Sequence, residues 1–278
     1  MIDPGSTSAT RWAVDVLTER GYLVSQISAF SKGSQSRVYR LEAIADGVPV
    51  PIALKVYGPV PGGARRCEAR LELEALRAFA AALGSEGPVR CPTPIASDDD
   101  GTMLLTTWME GIPLPAWLAT PEGRRRRISV AALVVAGLRT YHHATGDPFG
   151  DFHSGNVLVG SHGIVLLDPT LDRPFLHRTI VGVDDTPLVR DVAYWTFTTC
   201  VEAHRRIVRH PARQVREVRF NRLLLEAACA DLEPDDARAL AVAVDATVTV
   251  YLDALPRSAA RRALAPLRRL VLRRSITR

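Results

Sequence analysis

Residues Phe149 to Asp168 read FGDFHSGNVLVGSHGIVLLD, with an Asp at 151, an Asn at 156 and a second Asp at 168. The apolar runs VLV and IVLL are separated by Gly160, Ser161, His162 and Gly163, a pattern that predicts a β-hairpin. Such a hairpin sets Asn156 just ahead of one strand and Asp168 just after the other, at the same end. Two oxygen donors so placed suit Mg²⁺, a hard cation that keeps several waters and shares its shell with phosphates. Asp151, on the loop upstream, is then available to act on a proton. The alternative is an ordinary hairpin with polar ends, which this stretch alone leaves open.

Upstream, PVPIALKVY predicts a strand with Lys55 inside it. Only Lys32 and Lys55 are lysines in a chain whose other basic residues are arginines. A lysine kept inside an apolar strand points to work for a compact point charge, such as contact with phosphate. It also needs an anionic partner, because desolvation without one is costly. The helical run after Gly63 offers Glu68 and Glu72, with Leu73, Leu76, Phe79 and Leu83 as its apolar face. For Glu68, pairing with helix arginines on a solvated face is the preferred reading.

The segment FSKGSQSRVYRL reads as strand, turn and strand, and the turn at Gly33 and Ser34 can lay N–H groups against phosphates. Before it, residues 10–21 form a short amphipathic helix stopped by Gly21. DDDG at 98–101 is a turn signal, and MLLTTW after it is a strand that ends where Gly111 and Pro113 break regular structure. A domain boundary falls there, where the backbone of Thr107 to Met109 is expected to stay unpaired and to receive a nucleotide base.

Downstream, Thr120-Pro121-Glu122 caps a helix running to about His143, whose histidines are read as structural. VRDVAYW begins another helix, with Asp191 in its first turn, and the last ninety or so residues are helical. Eight arginines and no acid lie between Arg257 and Arg278, with Leu264, Leu267, Leu270 and Val271 on one face. Docking by the leucines is preferred there over contact with an anionic membrane surface.

Bulk properties bound these readings. A chain of 278 residues, 47% apolar, has material for two lobes. The net charge of +5 is too small to argue for nucleic acid. Cys67, Cys91, Cys200 and Cys229 are widely spaced, which fits a reducing cytosol and suggests neither zinc nor disulfides. The opening residues lack a signal peptide's basic and apolar regions, and the longest apolar run, Ile128 to Leu138, is too short to span a bilayer.

Taken together, these motifs resemble the protein-kinase-like fold, nearest its aminoglycoside-phosphotransferase and lipopolysaccharide-kinase branches, over roughly residues 28–200. GSQSRVYRL resembles the phosphate-covering loop, and IALKVY carries the strand lysine. ELEALRAF resembles the helix whose Glu72 pairs with Lys55. LLTTWMEGIPL resembles the hinge, with Thr106 as gatekeeper and the backbone of Thr107 and Met109 meeting adenine. GDFHSGNVLV is similar to the catalytic loop, LLDPT to the metal-binding segment, and PLVRDVAYW to the helix whose Asp191 braces that loop. Phe149 stands where the family usually has His, and His153 stands where protein kinases have Lys.

The resemblance implies an α+β, bilobal fold: an N-terminal helical extension (1–27), a small β-rich N-lobe with one main helix (28–106), a hinge (107–112) and a helical C-lobe (113–278). It implies an ATP-dependent phosphotransferase with a hydroxyl on a small molecule, sugar or lipid-linked sugar as acceptor. Asp151 and His153 are then catalytic. Gly33, Ser34, Lys55, Glu72, Thr107 and Met109 bind nucleotide, and Asn156 and Asp168 hold Mg²⁺. A cytoplasmic location accompanies that reading, with peripheral membrane contact through the Arg-rich C-terminus left open as the alternative to its docking. About forty residues separate the hinge from Asp151, fewer than in typical aminoglycoside kinases, which favours the compact branches. A Ser/Thr protein kinase and a nucleotide-binding pseudokinase are the rival readings.

Overall fold

Apolar residues alternate along the strands of the first half of the chain, so each strand offers one face to a core. The computed structural model describes residues 4–32, 36–58, 68–84, 87–169, 186–206 and 209–253. These divide into two units, Met1–Ala81 with Cys91–Met109, and Ala82–Arg90 with Glu110–Arg278.

In chain order the first unit begins with helix α1 (Pro4–Glu19), then strands β1 (Leu23–Lys32), β2 (Ser36–Ala45) and β3 (Val48–Tyr57), then helix α2 (Glu68–Leu83). After strand β4 (Val89–Arg90), which belongs to the second unit, come β5 (Pro94–Ser97) and β6 (Met103–Thr107). The first unit's five strands pair antiparallel in the order β1-β2-β3-β6-β5. Asp46 and Gly47 turn the β2–β3 hairpin with φ of 51° and 78°, values that suit an Asp-Gly turn of the primed type.

Helix α1 covers one face of this sheet. Ala9, Ala13 and Leu17, spaced by four, pack with Leu41, Ala43, Ile52, Leu54 and Leu105 in a buried core. Each large aliphatic group so buried contributes about 1.5–3 kcal/mol. On β3, Ala53, Lys55 and Tyr57 alternate with that core row and therefore face the opposite side of the sheet. Glu72 of α2 reaches that side. Two differences from the sequence division are plain. Residues 23–27, grouped with a helical extension, are the start of β1, and α1 belongs to the first unit's core. Val89–Arg90, placed in the N-lobe, pair with a strand of the second unit, because a parallel ladder joins positions far apart in sequence.

The second unit contains β4, β7 (Ile112–Pro113), β8 (Val157–Gly160) and β9 (Gly163–Leu166), in the order β4-β9-β8-β7. Its helices are α3 (Leu114–Trp117), α4 (Pro121–Thr145), α5 (Pro187–Arg206), α6 (Pro211–Cys229) and α7 (Pro234–Asp253). Thr120 caps α4, its Oγ1 accepting the Gly123 N–H at 3.0 Å, and Gly146 ends it with φ 77°. Val130, Val134 and Leu138 are buried on α4 while Ile128 is exposed. The apolar run is thus one face of a core helix. Among the described residues no helix is long and apolar enough to cross a membrane.

The hairpin expected from residues 157–166 forms, with Val157 opposite Leu166 and Gly160 opposite Gly163. Gly163 takes φ 133°, and a Cβ there would lie 1.9 Å from the Pro88 carbonyl oxygen. Only glycine allows that approach, and it lets the Ile164 N–H donate to Pro88 at 2.8 Å.

Candidate active site

In the first unit, Lys55 Nζ lies 2.8 Å from Glu72 Oε2, with the side chains 13% and 6% exposed. Burial that deep means that losing either partner strands a charge, at a cost of about 3–5 kcal/mol. Tyr57, on the same strand face, donates its hydroxyl to the same Glu72 oxygen, and Lys55 Nζ sits 4.9 Å from the Tyr57 ring centre. The lysine is therefore fixed by a carboxylate and a ring together. The N-terminus of α2 is tied down by the Ala69 N–H donating to Gly101 at 3.0 Å and by Arg70 donating to the Asp99 carbonyl at 2.8 Å. Asp98 orders that turn by accepting from Thr102 N and Met103 N, each at 2.7 Å.

At the end of β6 the backbone is only partly unpaired. The Thr107 N–H donates to Thr93 O at 2.9 Å, and Thr107 Oγ1 accepts the Thr93 N–H at 2.9 Å. The expectation of free groups at Thr107 is corrected for its N–H: the chain entering β5 runs alongside and pairs with it. The Trp108 N–H donates to Pro51 O, so Thr107's own groups point away from β3. Its carbonyl accepts a 3.3 Å contact from Thr106 Oγ1, and the Met109 N–H has no partner among the described residues. Gly33 and Ser34 lie outside the described residues, as do the arginines from 257 onward.

In the second unit, Asp191 of α5 is fully buried and accepts three hydrogen bonds: from the Phe149 N–H at 2.6 Å, the Gly150 N–H at 3.0 Å and His142 Nε2 at 2.7 Å. A left-handed Gly150, φ 92°, lets consecutive N–H groups aim at one carboxylate. This is the bracing expected of Asp191. Phe149 packs against Tyr141 at 4.9 Å and Phe152 at 5.5 Å, in an aromatic cluster continuing to Trp195. The loop is held by backbone groups, so a Phe for His at 149 leaves the bracing intact.

Asp151 and Asn156 are both about 9% exposed, and the Asn156 amide Nδ2 donates to the Asp151 carbonyl at 2.9 Å. The Gly155 N–H donates to His153 Nδ1 at 3.0 Å, which places the proton of a neutral ring on Nε2. Nε2 lies 3.7 Å from Asp151 Oδ2. Tyr194 of α5 donates its hydroxyl to the other oxygen, Oδ1, at 2.9 Å.

Asn156 and Asp168 stand at the same end of the β8–β9 hairpin, where the Leu167 N–H donates to Asn156 O at 2.9 Å. Asp168 has φ 58°, a left-handed conformation that Asp tolerates better than most side chains and that recurs at functional positions. With its amide nitrogen engaged, Asn156 keeps an oxygen as donor to a cation. Two hard oxygens fit Mg²⁺, which takes few protein ligands and completes its shell with water and phosphate. They do not fit a soft-metal cage, and no group of three His, Cys, Asp or Glu able to hold a metal occurs among the described residues.

Beneath the loop, burial pushes the Tyr251 phenol up to about 12, with the Asp191 carboxylate adding to the rise and Arg190 opposing it. Three contacts escaped the sequence: Tyr57 on Glu72, His142 on Asp191 and Tyr194 on Asp151. Tyr57 shares a strand face with Lys55, and Tyr194 lies one helical turn from Asp191. Spacing was the available signal for both.

No family model and no curated protein matches this sequence. Solved structures do. A thermostable mutant of aminoglycoside phosphotransferase APH(4)-Ia, in ternary complex with ADP and hygromycin B, is 13% identical with a TM-score of 0.51, covering 94% of this chain and 98% of that one. The PknI kinase domain of Mycobacterium tuberculosis is 18% identical with a TM-score of 0.47, covering 90% and 95%. Rv3197 of Mycobacterium tuberculosis, in complex with erythromycin, is 17% identical with a TM-score of 0.42, and this chain spans 61% of its length. At these identities the likeness is one of fold, and the first comparison carries it. The chain has the protein-kinase-like fold.

Proposed function

We propose that this protein is an ATP-dependent phosphotransferase acting on a hydroxyl of a small molecule, sugar or lipid-linked sugar. The observation that carries the proposal is the buried Lys55–Glu72 pair at 2.8 Å, an ammonium held ready on a strand of a fold shared with a phosphotransferase. Lys55 would contact the α- and β-phosphates, and the Thr107 carbonyl with the Met109 N–H would meet adenine. Asn156 and Asp168 would hold Mg²⁺, which when bound neutralises phosphate charge. Asp151 would orient the acceptor and take its proton. The acceptor oxygen then bonds to the γ-phosphorus as the bond to the bridging oxygen breaks, and that electron pair leaves with ADP. Positioning and charge neutralisation supply most of such catalysis.

Phe149 and the single-glycine loop at Gly33 are the best support for a pseudokinase; against the first stands the bracing of the loop's backbone N–H groups by Asp191, while Gly33 lies outside the described residues. The reading is tested with Mg·ATP and [γ-³²P]ATP. Wild type should gain thermal stability with Mg·ATP and release labelled phosphate to water or to an added alcohol. Asp151→Ala should keep the stabilisation and lose turnover, and Asp168→Ala should lose both. Wild-type turnover in Asp151→Ala would end the assignment of the base.

A further inference from the structure

Helix α5 makes a second contact with the loop it braces. Asp191 and Tyr194, three residues apart, lie on one helix face. Asp191 takes the loop's backbone N–H groups, and Tyr194 donates its hydroxyl to Asp151 Oδ1 at 2.9 Å. The phenol is 6% exposed, with its ring flanked by Phe197 at 6.2 Å and Tyr251 at 6.1 Å.

We propose that Tyr194 is a positioning residue for Asp151, fixing Oδ1 so that Oδ2 is the oxygen that receives the acceptor's proton. The proposal rests on the phosphotransferase reading above. The torsion that turns an Asp carboxylate is soft and roughly two-fold, so backbone bracing alone does not decide which oxygen faces outward. Asn156 holds the Asp151 carbonyl, not its carboxylate. The hydrogen bond from Tyr194 is charge-assisted and therefore among the stronger kinds. Oδ2 is in turn the oxygen 3.7 Å from His153 Nε2, so Tyr194 and His153 stand against different oxygens of one carboxylate. A carboxylate misplaced by about 1 Å forfeits roughly a hundredfold in rate.

The test uses the full chain and its hydrolysis of Mg·[γ-³²P]ATP to ADP and phosphate, with water as acceptor. Tyr194→Phe keeps the ring and removes the hydroxyl. Its kcat should fall about 10- to 100-fold with KM for Mg·ATP unchanged. In an Asp151→Asn background the same substitution should cause no further fall, since the two act as a unit. Urea midpoints of the four proteins should likewise fail to add. An unchanged kcat, a loss that adds to that of Asp151→Asn, or a matching rise in KM would each overturn the positioning role. Absence of wild-type turnover with non-additive midpoints would sink the phosphotransferase reading, and the role with it, while leaving the contact standing.

Discussion

The Asp191 carboxylate accepts the His142 Nε2–H at 2.7 Å, joining two helices 49 residues apart in sequence. The same carboxylate holds the N–H groups of Phe149 and Gly150. A single buried acid thus ties the end of α4, the start of α5 and the loop bearing Asp151 into one arrangement. His142 contributes from outside the loop, so an imidazole still serves the loop although position 149 is Phe.

Removing that acid strands two buried N–H donors and an imidazole. Asp191→Ala is expected to cost about 3–5 kcal/mol in urea unfolding, and His142→Ala about 1–3 kcal/mol. A loss below 1 kcal/mol for Asp191→Ala would show that the loop is held by something else.

Phe149 fills an aromatic cluster and is fully buried. Phe149→Ala is expected to destabilise by about 3–5 kcal/mol through the cavity it leaves. Phe149→His should also destabilise, by about 1–3 kcal/mol, because a ring N–H enters apolar surroundings. Calorimetric melting of the three proteins checks the order Ala, His, Phe.

Lys55→Arg keeps the charge and changes its shape. Guanidinium is planar and larger, and the space between Glu72 and the Tyr57 ring holds a compact ammonium. Thermal stabilisation by Mg·ATP should be largely lost in Lys55→Arg as well as in Lys55→Met. Full retention in the Arg variant would show that charge alone suffices.

Burial raises the Cys91 thiol from 9.0 to about 12 and the Tyr251 phenol from 10.0 to about 12. The unfolded chain releases these protons first as pH rises, so each group's stabilisation is complete below its unfolded value and is lost up to about pH 12. Stability should therefore fall from about pH 9 upward, by at most roughly 1.4 kcal/mol per pH unit for each group. Cys91→Ala and Tyr251→Phe should flatten the decline when urea midpoints are followed against pH.

Tyr251→Phe carries a second expectation. The Tyr251 hydroxyl is buried with no hydrogen-bond partner among the described residues, so removing it should be neutral or stabilising by about 1 kcal/mol at pH 7. A loss above 1 kcal/mol would reveal a partner for the hydroxyl.

Local pattern carried a large part of the fold. The Val157–Leu166 hairpin, the Thr120 cap of α4 and the strand around Lys55 follow from apolar period, turn residues and capping chemistry, all of which act within a few residues. The Lys55–Glu72 pair was legible too, because a lysine in a buried strand demands an anion and Glu72 lies among the three glutamates at the start of the next helix. β4 was not, since a two-residue strand has no period to read and its partner lies in the hairpin far along the chain.

What the sequence by itself determined is the set of chemical groups and their short-range setting: an ammonium on a strand, a carboxylate and an amide at one end of a hairpin, an acid near a helix's start. Asp191 falls just past the first turn expected for it, because α5 begins at Pro187. Tertiary structure decided which group each one touches. That the side chain of His142, and not one at 149, reaches Asp191, that Tyr57 shares Glu72 with Lys55, and that Tyr194 bonds Asp151 all depend on contacts between residues 15 to 49 positions apart. Periodicity assigns a residue to a face, but the packing of whole helices and strands selects the neighbour it meets there.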